Sequence, residues 1–213
     1  LIDLAMVHHQ WLTYGRVSAS IVLVTLFQGY YVIEGTFYEA GLVSMIDTTL
    51  DGLGFMLVFG DISLVPFTYS LQTRFLADNF VELSWLQIAL ITGVYLLGIA
   101  VFRLSNNEKN KFKQGKTNPG EYTYIETKTG SKLLTSGWWG MARHINYTGD
   151  WISSWAYSLP CGFNLVPYYY VVYFGVLLVH RESRDEAKCA AKYGETWTEY
   201  KRRVPYKFFP YLL

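Results

Sequence analysis

The sequence predicts an all-α protein: a polytopic membrane helix bundle with broken or re-entrant helices. Three observations carry this reading. Only 16% of the 213 residues are charged and 51% are apolar, against roughly 25% charged in soluble domains. Four stretches are long and apolar enough to be candidate spans. Aromatic residues make up 18% of the chain, with 18 tyrosines and 7 tryptophans, which suits aromatic belts at membrane interfaces.

The spans follow in order. Residues 17-33, "VSASIVLVTLFQGYYVI", form the first, with room to run past Glu34. Residues 53-71, "LGFMLVFGDISLVPFTYSL", contain Gly60-Asp61 and Pro66, so a broken or kinked helix is expected. Its acid should face protein or a cavity rather than lipid. Residues 84-102, "SWLQIALITGVYLLGIAVF", hold no charge over nineteen residues, and about 20 residues cross a hydrocarbon core. Residues 151-179 are too long for one simple span. Pro160, Gly162 and Pro167 are expected to divide them into two short helices, a hairpin or a re-entrant pair. Any one stretch could be a buried core helix; four in one chain argue against a soluble protein.

Charge sets the orientation. Before position 103 the basic residues are Arg16 and Arg74, against eight acids, for a net −6; from Arg103 onward sixteen basic residues face nine acids, for a net +7. The basic residues fall in segment 103-149 and in the C-terminal segment 180-213, mostly within 181-207. The positive-inside rule places both on the cytoplasmic side, and a hairpin at 151-179 returns the chain to the side it left. Most of these cations set orientation and touch anionic lipid. Nothing in the charge pattern points to nucleic acid. Cys161 and Cys189 cannot build a disulfide framework. His8 and His9 lack metal-ligand spacing, so no metal site is expected. No signal peptide is visible. The chain opens at "LIDLAMVHHQ" without a methionine, as a fragment, a processed product or one piece of a larger membrane protein would.

The polar residues cluster in "SKLLTSGWWGMARHINYTGD", residues 131-150. Arg143, His144, Asn146, Tyr147 and Asp150 follow Trp138-Trp139 directly. Lys109 and Lys113 are four apart and share a face of any helix leaving the membrane. Cations that take phosphates beside aromatic faces that pack a planar base fit a phosphate-rich cofactor. No GxGxxG follows a strand, so a Rossmann site is not expected and a nucleotide would bind in a helical pocket.

The stretches "LLTSGWWGMARHINYTGD", "LPCGF", "HRESRDEAKCAAKYGETWTEYKRRVPYKFFPYL" and "LGFMLVFGDISLVPFTYSLQTRFL" resemble the sterol reductase family. That family includes the C14, C7 and C24(28) sterol reductases and the lamin B receptor. The resemblance runs from about Tyr30 to the end and covers the C-terminal half of the family's longer chains; the missing N-terminal half is expected to complete the protein. The middle stretch is most similar to the C14 enzymes. The resemblance implies NADPH-dependent reduction of a ring double bond of a sterol, C14=C15 of a delta(14)-sterol, by protonation plus hydride transfer. It implies a multi-pass location in the endoplasmic reticulum membrane of a eukaryote, or in the inner membrane of a bacterium.

The resemblance also implies the cofactor contacts. Lys109 matches a phosphate-binding lysine, and Lys113 stands where the family usually has arginine, losing bidentate phosphate geometry but not charge. Leu134, Trp139, Asn146 and Tyr147 match contacts in the block before and within "HINY". Asp185, Cys189, Ala190, Ala191, Lys192, Tyr193 and Tyr200 match contacts in the last block. On the sterol side, Leu64 replaces a tryptophan, and Phe37-Tyr38 replace Trp-Asn before Glu39. An isolated olefin accepts hydride poorly, so an acid must supply a proton first or concertedly. Tyr31, near Glu34, is the first candidate acid and Asp185 the second; Asp61 could line the sterol cavity. Two rival readings remain. "RHxxY.G" also resembles isoprenylcysteine-type membrane methyltransferases that use S-adenosylmethionine, although Ile145 stands where they have proline. A non-catalytic sterol-reductase-like scaffold is the other.

Overall fold

The structure is a computed structural model that describes residues 1–38, 54–118 and 120–212. Glu39, and Leu53 at the start of the second expected span, lie outside the described residues. The chain forms two compact units, Leu1–Tyr95 with Ser154–Phe174, and Leu96–Ser153 with Gly175–Leu213.

In the first unit, α1 (Ile2–Tyr14) and α2 (Ala19–Phe37) form a tight helix pair. Sequence reading gave α2 but not α1, which carries too many polar residues to read as a span. Gly15 ends α1 in the left-handed conformation (φ 68°), where a residue with Cβ is strained. Ser18 then caps α2, its Oγ accepting from the Ile21 N–H at 3.4 Å. The fully buried Gln10 locks the turn, donating to Ser18 Oγ at 3.1 Å and to the Leu76 carbonyl at 2.6 Å, and accepting from the Ser18 N–H at 2.7 Å.

The second expected span is broken, as Gly60-Asp61 implied. It comprises α3 (Phe55–Phe59), a π-helical turn (Gly60–Leu64), α4 (Val65–Tyr69) and α5 (Leu71–Asp78). Asp61 is exposed, so no described residue covers the acid that was expected to face protein. Helix α5 packs on α1 and α2 around Ile21, Val24, Leu76, Ala77 and Cys161. Gln72 ties α5 to the later chain, donating to Ser158 Oγ at 3.2 Å and to the Pro167 carbonyl at 3.1 Å.

The third span lies in α6 (Trp85–Lys113), which continues well past the uncharged stretch. Its 29 residues make a rod about 44 Å long at 1.5 Å per residue. Helices α2 and α6 are long and apolar enough to cross a membrane, and only 33% and 22% of their apolar windows are buried. A soluble core helix would be mostly buried. Here Leu26, Trp85, Leu86, Leu90, Leu96 and Leu97 face outward, as lipid-facing side chains do. The molecule is therefore a helical membrane protein.

The fourth stretch needs a correction. Helix α8 (Ile145–Ser158), after the short α7 (Trp138–Met141), leads through a 3₁₀ turn (Leu159–Cys161) into α9 (Leu165–Tyr193). Pro160 and Gly162 divide the segment; Pro167 does not. It sits in the first turn of α9, where its missing N–H has no partner to lose. Helix α9 then runs 29 residues, carrying the expected span directly into the basic tail. Helix α10 (Glu195–Arg203) follows. A small antiparallel hairpin, β1 (Tyr124–Glu126) with β2 (Lys132–Leu134), was not foreseen; it pairs Tyr124 with Leu134.

In the second unit α6 and α8 cross with their backbones in contact. A Cβ on Gly149 would lie 2.5 Å from the Phe102 nitrogen and 2.7 Å from the Gly98 carbonyl oxygen. One on Gly98 would lie 2.5 Å from Ser153 Oγ. Gly149→Ala is therefore expected to push the helices apart and lower stability by about 1–3 kcal/mol, the usual cost of overpacking. Gly93→Ala on α6 is the matched control, because a Cβ there would meet nothing within 4 Å. Thermal unfolding in detergent checks this; equal midpoints for the two variants would contradict it.

Candidate functional site

The polar cluster of the second unit grows from the end of α6. Ser105, Asn106, Glu108 and Lys109 lie within little more than one turn just beyond its uncharged stretch. The Ser105 carbonyl accepts from Trp139 Nε1 at 2.7 Å, which fixes the indole. Lys109 Nζ then lies 3.7 Å from the centroid of that indole, a cation–π contact. Glu108 Oε1 accepts from the Trp138 N–H at 2.9 Å and so holds the start of α7. Gly137 permits this: its φ is 63°, and a Cβ there would meet Glu108 Oε1 at 2.5 Å.

Asn146, at the start of α8, donates to Asn106 Oδ1 at 3.3 Å. Its own Oδ1 is buried with no hydrogen-bond partner among the described residues. His144 stacks on Tyr147 with centroids 5.0 Å apart. Its Nε2 is 4.0 Å from Asp185 Oδ2, too long for a hydrogen bond. Burial, with Lys109 and Arg143 nearby, lowers the His144 imidazole to about 3, so it is neutral and the contact is not an ion pair. Cys189 Sγ donates to Asp185 Oδ2 at 3.9 Å. Burial and Asp185 push that thiol up to about 11, so it is no nucleophile at neutral pH. Burial first, then Lys113, lowers the Lys109 ammonium to about 8; Asp185 and Cys189 oppose the shift.

The structure thus gathers Lys109, Trp139, Asn146, Tyr147, Asp185 and Cys189 around one end of α6. Other sequence-predicted contacts stand differently. Lys113 is exposed, as are Ala190, Ala191 and Lys192 in the last turns of α9. Lys192 Nζ lies 5.0 Å from the centroid of its neighbour Tyr193. Leu134 is buried at the end of β2. Tyr200 is buried against Trp197 and Val204, with Tyr193 and Cys189 packed on that core.

Arg143 requires a correction. Read from sequence it was a cation for phosphates. In the structure it is buried, and its Nη1 donates to the Val204 and Pro205 carbonyls at 2.7 and 2.8 Å. The Arg143 and His144 N–H groups donate to the Tyr206 and Lys207 carbonyls at 3.0 and 2.8 Å. Thr148 Oγ1 adds a bond to the Phe208 carbonyl at 2.6 Å. Half of the polar block therefore fastens the C-terminal segment. Lys207 completes the fastening against the buried Glu182 at 3.1 Å. Sequence reasoning missed Asn106 and Glu108. Their signal was available: both lie within two turns of Lys109 where the uncharged helix becomes polar.

Tyr31 belongs to the first unit. It is half-buried on α2, its ring 6.4 Å from that of Tyr69. Glu34, one turn on, is buried. With Tyr30, Ile33, Phe37 and Tyr38 it lines a pocket of about 510 Å³. Tyr31 is not among the lining residues.

Fold and cluster define a helical membrane protein that gathers a cation, an indole and two carboxamides at the polar end of a spanning helix. The sequence model of the Ergosterol biosynthesis ERG4/ERG24 family matches residues 1–213, and the chain belongs to that family. It is 48% identical over 213 residues to the Delta(14)-sterol reductase ERG24 of Saccharomyces cerevisiae, covering 100% of this chain and 48% of the relative. It is 49% identical over 215 residues to that of Candida albicans, covering 100% and 48%. It is 48% identical over 213 residues to the Delta(14)-sterol reductase of Ascobolus immersus, covering 99% and 50%. The chain spans about half the length of these relatives.

The Lys109 ammonium gives the cluster a pH signature. It is charged below about 8 and loses its proton above. If it faces an anionic ligand, affinity for that ligand should fall as pH rises through 8. Lys109→Arg, charged throughout, should flatten the dependence. A titration of NADPH binding between pH 6.5 and 9.5 measures it; an equal slope in the variant would remove Lys109 from the anion contact.

Proposed function

We propose that this chain is the C-terminal half of a multi-pass membrane enzyme that reduces the C14=C15 double bond of a delta(14)-sterol with NADPH. The observation that carries the reading is the Lys109–Trp139–Asn106–Asn146 cluster. It is a cation, a π face and an unpaired buried carboxamide oxygen together, in a chain whose relatives are named delta(14)-sterol reductases. That donor and acceptor set fits a dinucleotide. Lys109, with Lys113 beyond it, would hold phosphate. Asn146 Oδ1 would accept from an amide or ribose hydroxyl, and Trp139 and Tyr147 would pack a planar ring. When bound, NADPH supplies hydride, which a simple olefin accepts only once it is protonated.

The chain must then supply the proton. Tyr31 is the proposed acid, a neutral donor on a spanning helix beside the buried Glu34. A dry setting favours such a donor over an exposed carboxylate. Asp185 is the second candidate, and its place beside Lys109 and His144 suits it to the cofactor end. The basic segments 103-149 and 180-213 are proposed to face the cytoplasm, with the protein in the endoplasmic reticulum membrane.

The cofactor test uses the full-length protein that contains this chain. NADPH should bind, and S-adenosylmethionine should not; the reverse would favour a methyltransferase. Binding of neither would favour a scaffold. Lys109→Ala with Lys113→Ala should weaken NADPH more than NADH if either reads the 2′-phosphate. Equal loss would assign both to the pyrophosphate.

The acid is tested separately. Tyr31→Phe should cut sterol turnover by roughly 10²–10⁴-fold, the range of a positioned general acid, with NADPH affinity unchanged. Wild-type turnover in Tyr31→Phe, with activity abolished in Asp185→Asn at unchanged cofactor affinity, would reverse the two roles.

A further inference from the structure

Behind Tyr31 the first unit gathers a group of tyrosines on four different elements. Tyr69, on α4, has its ring 6.4 Å from Tyr31, 5.6 Å from Tyr157 on α8 and 5.3 Å from Tyr170 on α9. Tyr157 continues to Tyr95 on α6 at 6.0 Å. Tyr69 is therefore in ring contact with both Tyr31 and Tyr157.

The hydroxyls distinguish these residues. Tyr95 uses its own as a structural group, donating to the Phe27 carbonyl at 3.0 Å. The Tyr69 and Tyr157 hydroxyls are buried and face each other at the limit of hydrogen bonding, and neither has another hydrogen-bond partner among the described residues. A buried hydroxyl left unsatisfied costs about 1–3 kcal/mol. Phenylalanine would fill the same ring volume without that cost. Packing therefore accounts for the rings and not for the two oxygens. Buried polar atoms of this kind call for an explanation, and a catalytic role is one. Nearby, Gln28 on α2 donates to the Tyr69 carbonyl at 2.6 Å, which fixes the backbone that carries the Tyr69 ring.

We propose that the hydroxyls of Tyr69 and Tyr157 form a proton relay behind Tyr31, positioning that phenol and returning a proton to it after it protonates the sterol. The proposal rests on the reading of Tyr31 as the acid. The π pair of the double bond takes the Tyr31 hydroxyl proton and forms the new C–H bond, and the O–H electron pair stays on the Tyr31 oxygen. The Tyr69 proton moves to that oxygen, and the Tyr157 proton moves to Tyr69. The positive charge left on the neighbouring ring carbon is closed by hydride from the reduced nicotinamide, which is oxidised. A solvent proton restores Tyr157 between turnovers. Each double bond thus consumes one proton from water and one hydride. Tyr69 and Tyr157 touch no substrate in this scheme; they act through Tyr31.

Other ionisable groups around Tyr31 and the relay are Glu34 and Tyr30 on its own helix, Tyr95 and Tyr170. All stay unchanged in the variants compared, apart from the Tyr95 control. The test has one readout with turnover and one without, both on the full-length protein. Turnover of a delta(14)-sterol in H₂O–D₂O mixtures should give a bowed proton inventory in the wild type, because several protons move. Tyr157→Phe should make it linear and lower kcat by about tenfold, less than loss of the acid itself, with NADPH affinity unchanged. Tyr95→Phe removes a satisfied hydroxyl from the same cluster and should leave the curvature intact. The second readout places 3-fluorotyrosine at position 31. Its ¹⁹F resonance should move in Tyr157→Phe, which the relay couples to Tyr31 through Tyr69, and stay in place in Tyr95→Phe.

A resonance that ignores Tyr157→Phe overturns the relay, as does a Tyr95→Phe variant that reproduces the Tyr157→Phe changes. A coupled resonance in a protein that reduces no sterol would instead keep the hydroxyl chain and remove the proposed reaction.

Discussion

The close approach of α6 and α8 at Gly98 and Gly149 is the constraint on which the second unit depends. Lipid chains are as apolar as leucine, so no hydrophobic force pulls membrane helices together. Small residues that let backbones touch supply contact instead. Gly98 and Gly149 do so with Ser153 and Phe102 as neighbours. The crossing is antiparallel: Gly98 faces Ser153, Phe102 faces Gly149, and Asn106 reaches Asn146. Once those glycines meet, the polar ends of the two helices have no freedom to separate. The asparagine pair, and the Lys109–Trp139 contact one turn further, follow from that register.

The same unit spends two cations on structure, one exposed on a buried carboxylate and one buried among carbonyls. Lys207 is matched to the buried carboxylate of Glu182, and the guanidinium of Arg143 to two carbonyls. Both are spent on structure. Removing either partner would strand a buried polar group, which costs several times what the intact pair contributes. They fasten the C-terminal segment to α8 and α9. Trp197 and Lys201 add a second fastening on Glu186, at 3.1 and 2.8 Å. A block of sequence that looked like a single polar site is thus divided between a clamp and a pocket.

What sequence could show follows from which interactions are local. The spans at α2 and α6 were legible because freedom from charge over about 20 residues is a property of the stretch itself. The irregularity at Gly60-Asp61 was legible from the glycine and the acid themselves; it is a π-helical turn, and the helix is interrupted further on, at Ser70. The full length of α9 was not legible. Its second half is charged, and the hydropathy that marks a span says nothing about where a helix stops. Pro167 misled because its effect depends on position within the helix, and only the structure shows that it sits in the first turn. Lys109, Trp139 and Asn146 were singled out by charge spacing and the polar-aromatic block, and again by motif resemblance. Asn106 and Glu108, which hold them, and the Gly98–Gly149 contact are tertiary facts with only faint local marks. Arg143 failed for the converse reason: its chemistry is that of a phosphate ligand, and its partners lie far along the chain, at Val204 and Pro205.

The contrast between Lys207 and Lys109 explains why one is structural and the other poised. The Lys207 ammonium already sits on the buried carboxylate of Glu182, and an incoming anion would have to break the pair. Lys109 lies on an indole face instead. A cation–π contact contributes about 0.5–2 kcal/mol, enough to hold the side chain in place but not to cancel its charge. The incomplete compensation is visible in the ammonium itself, which burial and Lys113 weaken to about 8 while Asp185 only partly opposes them. A phosphate would restore what the environment withholds, and it would do so without displacing Trp139. The indole is thus strong enough to orient the Lys109 cation and too weak to satisfy it, which is what the proposed cofactor site requires.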